Sequence, residues 1–308
     1  MFGGVCRKRA MLSQLHILLT YTCPFECDHC FVYSSPYAEG TFTAPRLHEA
    51  LDQAQDVPTI DWIYFEGGES FLFYPLLIEG VRSARERGFE VGIVTSGYFG
   101  ATEEDAELWL KPLAELGISD LSVSDDAFHH DESSDNPAQK TKRVAEWLGI
   151  PTDTITIDPP AAVGVPGQAR GEAVAGGSVM FRGRAVDRLA QGLAGRQWQT
   201  LTECPYEELE DPTRIHLDPY GHVQVCQGIS IGNVWETPIR KLMEHYRAAD
   251  HPICGPLVEG GPHELATVHG FDPEDLYVDE CHLCFETRRS LLHRFPDELA
   301  PRQVYGVV

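Results

Sequence analysis

The apolar positions in the first two thirds of the chain follow two alternating rhythms. Short runs at 12–20, 60–65, 89–95, 118–124 and 154–157 are predominantly apolar or alternate with polar residues, and they predict strands. Between them lie amphipathic stretches that predict helices. One opens at Thr43 with Pro45 in its first turn and runs to about Gln55. Others span 75–87 and 139–148, and another starts at Thr102, a capping residue followed by Glu103, Glu104 and Asp105. Repeated βα units predict an α/β fold, a parallel sheet with helices outside. Right-handed crossovers wind such a sheet into a doubly wound layer or a barrel. In both, the loops after the strands' C-terminal ends carry the chemistry. The alternation ends after Trp198, which predicts two domains, 1–200 and 201–308. Residues 159–177, rich in Gly, Ala and Pro, read as a surface connection or, on a sharper reading, a lid over a site.

The loop after the first strand carries Cys23, Cys27 and Cys30 at the spacing C-x3-C-x2-C. Thiolates are the usual ligands of iron–sulfur clusters, and a full set is four. Three local thiolates therefore leave one iron of a [4Fe–4S] cluster open, and open coordination sites are where metal chemistry happens. The competing reading is a zinc knuckle, although zinc motifs favour C-x2-C pairs with distant partners. Nine cysteines could suggest disulfides in a small secreted domain, but at 308 residues the chain is too long for that reading and the spacings are those of metal ligands. The formal charge of −23 argues against a protein that tracks a phosphate backbone, which requires clustered Lys and Arg, but not against a nucleotide-sized ligand. The apolar stretch near the start is too short and polar to span a membrane, so a soluble, cytoplasmic protein is expected.

The cysteine spacing resembles the signature of the radical S-adenosylmethionine (radical SAM) superfamily, with His29 in the aromatic slot. The resemblance selects a partial (β/α)6 barrel, a choice the pattern alone leaves open. It also implies that the open iron binds the methionine end of S-adenosylmethionine, whose reductive cleavage yields a 5′-deoxyadenosyl radical. Gly67, Gly68 and Glu69 at the end of the second strand look like the family's GGE motif, which contacts the methionine amino group. Thr95 and Ser96 end the third strand where many relatives have Thr-Asn. Ser124 and Asp126 match the family's Ser-x-Asp segment at the end of the fourth. The plain alternative for these four is helix capping and turn hydrogen bonding. His129 and His130 read as a solvated loop or as proton carriers. Arg182-Gly183-Arg184-Ala185 resembles a GRA segment whose arginine could pair the methionine carboxylate.

Five cysteines lie beyond residue 200. Around Cys226 the stretch GHVQVCQGISIGN resembles the hairpin of the SPASM/Twitch extension of radical SAM enzymes. The Twitch version implies one auxiliary [4Fe–4S] cluster on Cys204, Cys226, Cys281 and Cys284, with Cys254 and Cys6 left as spare thiols. A four-cysteine zinc ribbon is the competing reading. A second cluster would allow a two-electron outcome, hydrogen abstraction followed by loss of an electron and a proton. Oxidative modification of a peptide or a small metabolite is therefore expected, supported by a flavodoxin- or ferredoxin-type electron donor. The short stretch before Cys23 leaves no room for an N-terminal peptide-binding domain, which shifts weight toward small substrates or delegated peptide recognition. A redox-neutral isomerase or lyase and a non-enzymatic electron carrier are the other classes.

Overall fold

A computed structural model describes residues 11–130, 135–161 and 177–307. Five βα-linked strands come first: β1 (Gln14–Thr20), β2 (Trp62–Gly67), β3 (Glu90–Thr95), β4 (Asp120–Ser124) and β5 (Thr152–Ile155). The helices between them are α1 (Ala44–Gln55), α2 (Tyr74–Glu86), α3 (Glu103–Leu116) and α4 (Pro137–Trp147). Thr43 and Thr102 cap α1 and α3 as their sequences predict, each side chain accepting from a backbone N–H. All neighbouring pairs among the five strands are parallel, in the order 5-4-3-2-1.

The remaining elements lie beyond residue 183. They are α5 (Arg184–Leu189), β6 (Arg196–Gln197), β7 (Arg214–Leu217), β8 (His222–Cys226), β9 (Ile229–Asn233), α6 (Ile239–His245), α7 (Cys254–His269), β10 (Leu276–Tyr277) and α8 (Glu280–Ser290). The sixth parallel strand does not follow β5 around the curve. It is β7, from beyond residue 200, which pairs in parallel with the opposite edge at β1 and continues into the antiparallel strands β8 and β9. The two predicted domains thus share one eight-stranded sheet.

Strand alternation decides which way each side chain faces. Leu15, Ile17, Ile63, Phe65, Val91, Ile93, Leu121 and Val123 are fully or nearly fully buried, in one core with Leu47, Leu51, Leu77, Val81, Leu110 and Leu113 of the outer helices. The intervening positions, among them His16, Leu18, Glu66, Val94 and Ser124, belong to the other face of the strands. That inner face, with the loops at the strands' C-terminal ends, builds the site. Residues 162–176 of the glycine-rich connection, and Cys6, lie outside the described residues.

Candidate active site

One cavity of about 260 Å³ opens at the C-terminal ends of the parallel strands. Cys23, Cys27 and Cys30 are all on its wall, together with His29, Gly67, Gly68, Thr95, Ser96 and Ser124. The cysteine loop is held from several sides. The Cys23 amide donates to Ser35 O (3.0 Å) and the Cys30 amide to Cys27 O (3.1 Å). The Ser34 amide donates to Cys30 Sγ at 3.3 Å. Burial pushes the Cys23 thiol up to about 12 and that of Cys27 higher still, so ligation there must displace protons.

Gly67 and Gly68 are glycines because the backbone at the end of β1 and just beyond it passes over them. A Cβ on Gly67 would lie 2.4 Å from Thr20 O, and one on Gly68 would lie 2.2 Å from Thr22 O. Gly67 also has φ +138°. Beside them Glu69 is 1% exposed and is not on the cavity wall. Its Oε1 accepts from Thr95 Oγ1 (2.9 Å) and the Phe71 amide (3.2 Å); its Oε2 accepts from the Ser96 amide (2.9 Å) and Ser96 Oγ (2.6 Å). Burial outweighs these four donors and holds its carboxyl above the ordinary value. Glu69 thus ties the end of β2 to the end of β3.

Asp126 has a similar place behind the wall. It accepts from the amides of Phe128 (3.1 Å) and Ile157 (3.2 Å) and pairs with His129 Nδ1 at 2.8 Å. Burial opposes its charge, but the His129 bond and charge hold its carboxyl below the usual range. His129 lines the cavity, whereas His130 turns its Nε2 to Ser96 O at 2.7 Å. His29 stacks at a tilt on Phe128, with ring centroids 4.4 Å apart, and its Nδ1 is buried without a partner. Burial, and then the neighbouring His129, pull its imidazole down to about 4, so it is neutral at physiological pH.

The second cysteine set also converges. Cys204, Cys226, Cys281 and Cys284 line one enclosed cavity with Arg182, Glu207 and Arg288. Cys254 is fully buried at the start of α7 and is absent from that wall; burial pushes its thiol to about 12, and its partner is Tyr246. Arg182 donates to Cys226 Sγ at 3.4 Å and pairs with the buried Glu207 at 3.1 Å, while its Nε has no partner. A buried cation that donates to one of these sulfurs and keeps one N–H unused fits an anionic sulfur-rich group.

The two arginines singled out in the sequence do not reach the first cavity. Arg182 serves the second set, and Arg184 donates to Cys27 O and Ser34 O, both at 2.7 Å, bracing the first cysteine loop from behind. Gly183 between them has φ +62°, and a Cβ there would lie 2.4 Å from Phe31 Cα. This three-residue bridge between the cysteine sets was not evident from the sequence. The only signal was two arginines flanking a glycine.

Residues 17–155 match the model of the radical SAM superfamily. They form a radical SAM domain. That family implies S-adenosylmethionine and a [4Fe–4S] cluster, and the three cysteines on one cavity wall suit that cluster. A stretch of 107 residues is 33% identical to the tungsten-containing aldehyde ferredoxin oxidoreductase cofactor-modifying protein of Pyrococcus furiosus, covering 35% of this chain and 29% of that one. Another, of 113 residues, is 26% identical to the "Putative peptide biosynthesis protein YydG" of Bacillus subtilis, covering 37% of this chain and 35% of that one. The alignments thus span about a third of the length of these curated relatives. Among solved structures, BtrN in complex with AdoMet and 2-DOIA superposes with a TM-score of 0.50 at 17% identity, over 77% of this chain and 83% of that one. This likeness supports the partial-barrel fold. Among the described residues, no helix is long and apolar enough to cross a membrane.

Proposed function

We propose that this chain is a radical SAM enzyme that carries out an oxidative modification of a peptide or small metabolite with two iron–sulfur centres. The observation that carries the reading is the presence of two separate sulfur-lined cavities joined by the Arg182–Arg184 segment. Cys23, Cys27 and Cys30 would hold the first cluster, and Cys204, Cys226, Cys281 and Cys284 the second. When bound, the first cluster with S-adenosylmethionine supplies a radical that removes one hydrogen atom from substrate, and the second supplies an acceptor for a further electron.

The chain's own residues bind, orient and exclude water. Gly67 and Gly68 let the methionine end lie against the backbone of β2, Ser124 presents a hydroxyl to ribose or carboxylate oxygens, and Thr95 and Ser96, whose hydroxyls donate to Glu69, can accept from ribose hydroxyls. Leu18, Phe25, Ile155, Ile157, Val179 and Met180 supply an apolar lining that keeps a reactive carbon centre from solvent. His129, fixed by Asp126, is a proton carrier on the same wall. The peptide half of the substrate proposal draws on the description of the Bacillus subtilis relative, and a flavodoxin- or ferredoxin-type protein is the proposed electron donor. The test is anaerobic reconstitution followed by reduction with S-adenosylmethionine. About eight irons per chain, from two four-iron clusters, and release of 5′-deoxyadenosine are expected. About four irons with one zinc would remove the second centre, and no cleavage would overturn the reading.

A further inference from the structure

At the floor of the first cavity, three side chains with metal-ligating atoms meet. The β1–β2 register sets Glu66 beside Leu18, and the β1–β7 register sets His16 beside His216. Glu66 is on the cavity wall. Its Oε2 lies 3.0 Å from His16 Nδ1 and its Oε1 lies 2.7 Å from His216 Nδ1. The three ligand atoms lie within 4.8 Å of one another. None of the three belongs to either cysteine set.

The proton positions decide what this cluster is. If both Nδ1 atoms carried hydrogen and donated to Glu66, each Nε2 would be a lone pair in need of a donor. His16 Nε2 faces the Gln14 side-chain amide at 3.2 Å, which can present either its oxygen or its NH2. His216 Nε2 faces the Gln227 amide at 3.4 Å, and Gln227, only 4% exposed, has a buried Oε1 with no partner. An orphaned carbonyl oxygen in such a place is costly. The two orientations of a glutamine amide have nearly the same shape. Turning it by 180° gives Oε1 the Nε2–H of His216 and puts the NH2 where the oxygen stood. With Gln14 presenting its oxygen, both rings then carry hydrogen on Nε2, each held by a glutamine oxygen, and both Nδ1 lone pairs converge on a carboxylate. Second-shell oxygens that fix the distal nitrogen are the usual companions of metal-bound histidine. Tyr64 stacks on His16, with centroids 4.7 Å apart, and fixes its ring plane.

We propose that His16, Glu66 and His216 form a binding site for a divalent transition metal such as Zn²⁺, with its open coordination position facing the cavity that Glu66 lines. Two imidazoles and a carboxylate suit zinc or ferrous iron, and three protein ligands leave room for an oxygen donor from substrate or water. The site stands apart from both thiolate sets and is independent of the oxidative reading above.

The test uses the full chain, anaerobically reconstituted so that the thiolates are occupied, then equilibrated with Zn²⁺ and desalted. Iron and zinc are counted by mass spectrometry in the parent, His16→Ala, His216→Ala, His216→Gln and Cys281→Ala/Cys284→Ala. One zinc per chain is expected in the parent and in the double cysteine variant, with affinity falling at least tenfold in each histidine variant while iron stays unchanged. His216→Gln keeps an amide donor for Glu66 but no imidazole, so its loss of zinc separates ligation from packing. The proposal is overturned if the parent takes up no zinc, if the histidine variants retain it, or if it disappears only with Cys281 and Cys284. The first result would identify a metal-free hydrogen-bond network. Iron content and 5′-deoxyadenosine release, read in the same samples, report separately on the cluster reading.

Discussion

Arg182 places its guanidinium 3.4 Å from Cys226 Sγ and 5.0 Å from the ring centre of Phe31, the residue that follows Cys30. One side chain thus touches the second cysteine set and packs on the loop that carries the first. Its charge is balanced by Glu207, whose side chain is 4% exposed. Arg182→Met removes that balance and leaves a buried carboxylate with only Arg214 to meet it. Truncating one member of a buried pair costs about 3–5 kcal/mol. Arg182→Lys keeps the charge but forfeits the fork. We expect Arg182→Met to lower the melting temperature and the iron content together. We expect Arg182→Lys to keep the fold while shifting the reduction potential of the second centre, read by EPR-monitored titration. An unchanged potential in a folded Arg182→Lys protein would show that the arginine is only structural.

Removing thiolates should separate the two centres. Cys281→Ala with Cys284→Ala takes two of the four proposed ligands from the second cavity and leaves the first cysteine loop intact. About half the iron should be lost, 5′-deoxyadenosine should still form, and oxidised product should not. Cys254→Ala should retain all the iron, since its thiol packs against Tyr246 away from the cavity wall. Loss of the second centre in Cys254→Ala but not in Cys204→Ala would reverse that assignment.

Much of this arrangement could be read in the sequence, because its determinants are local. The strand and helix rhythm follows from apolar spacing, and the capping residues Thr43 and Thr102 mark where two helices begin. The three cysteines proposed for the first centre fall within eight residues, so spacing alone suggests them. Features that depend on tertiary pairing could not be read in this way. Nothing in the stretch around His216 says that β7 will flank β1 and bring that imidazole to Glu66. Nor does a Gly-Gly-Glu triplet reveal that the carboxylate turns inward to bind Thr95 and Ser96 while the glycines face the cavity. The alternation of β1 and β2 did carry a signal. His16 and Glu66 put ionisable groups at inward-facing positions of β1 and β2, where a polar group needs a partner.

Gly183→Ala tests the bridge itself. The added methyl would meet Phe31 Cα at 2.4 Å and Cys30 O at 2.6 Å, and φ +62° is strained for alanine. Both contacts are backbone, so neither can swing aside. The arginines on either side would be displaced from Cys226 and from Cys27 O together. We expect iron to be lost from both centres in parallel. Gly192→Ala has a similar φ, +82°, with nothing within 4 Å of the new methyl, and it serves as the control for backbone strain. Equal iron contents in the two variants would sink the bridging role.

Glu69→Gln isolates the carboxylate behind the cavity wall. Four donors converge on Glu69, and a glutamine offers one carbonyl oxygen while turning an NH2 toward the others. Leaving a buried donor unmet costs about 1–3 kcal/mol. We expect a lower melting temperature and weaker S-adenosylmethionine binding, because the ends of β2 and β3 lose their common tie. The size of the stability deficit should depend on pH. Burial holds the Glu69 carboxyl above its ordinary value, so the folded protein binds its proton more tightly than the unfolded chain does. The stability from that difference is fully present below the unfolded carboxyl range and fades as pH rises through the folded value. Glutamine does not titrate. The gap in melting temperature between parent and variant should therefore be wider near about pH 5 than near about pH 8. A gap that widens toward alkaline pH would mean that the four donors overcome burial and that the carboxyl sits below its ordinary value instead.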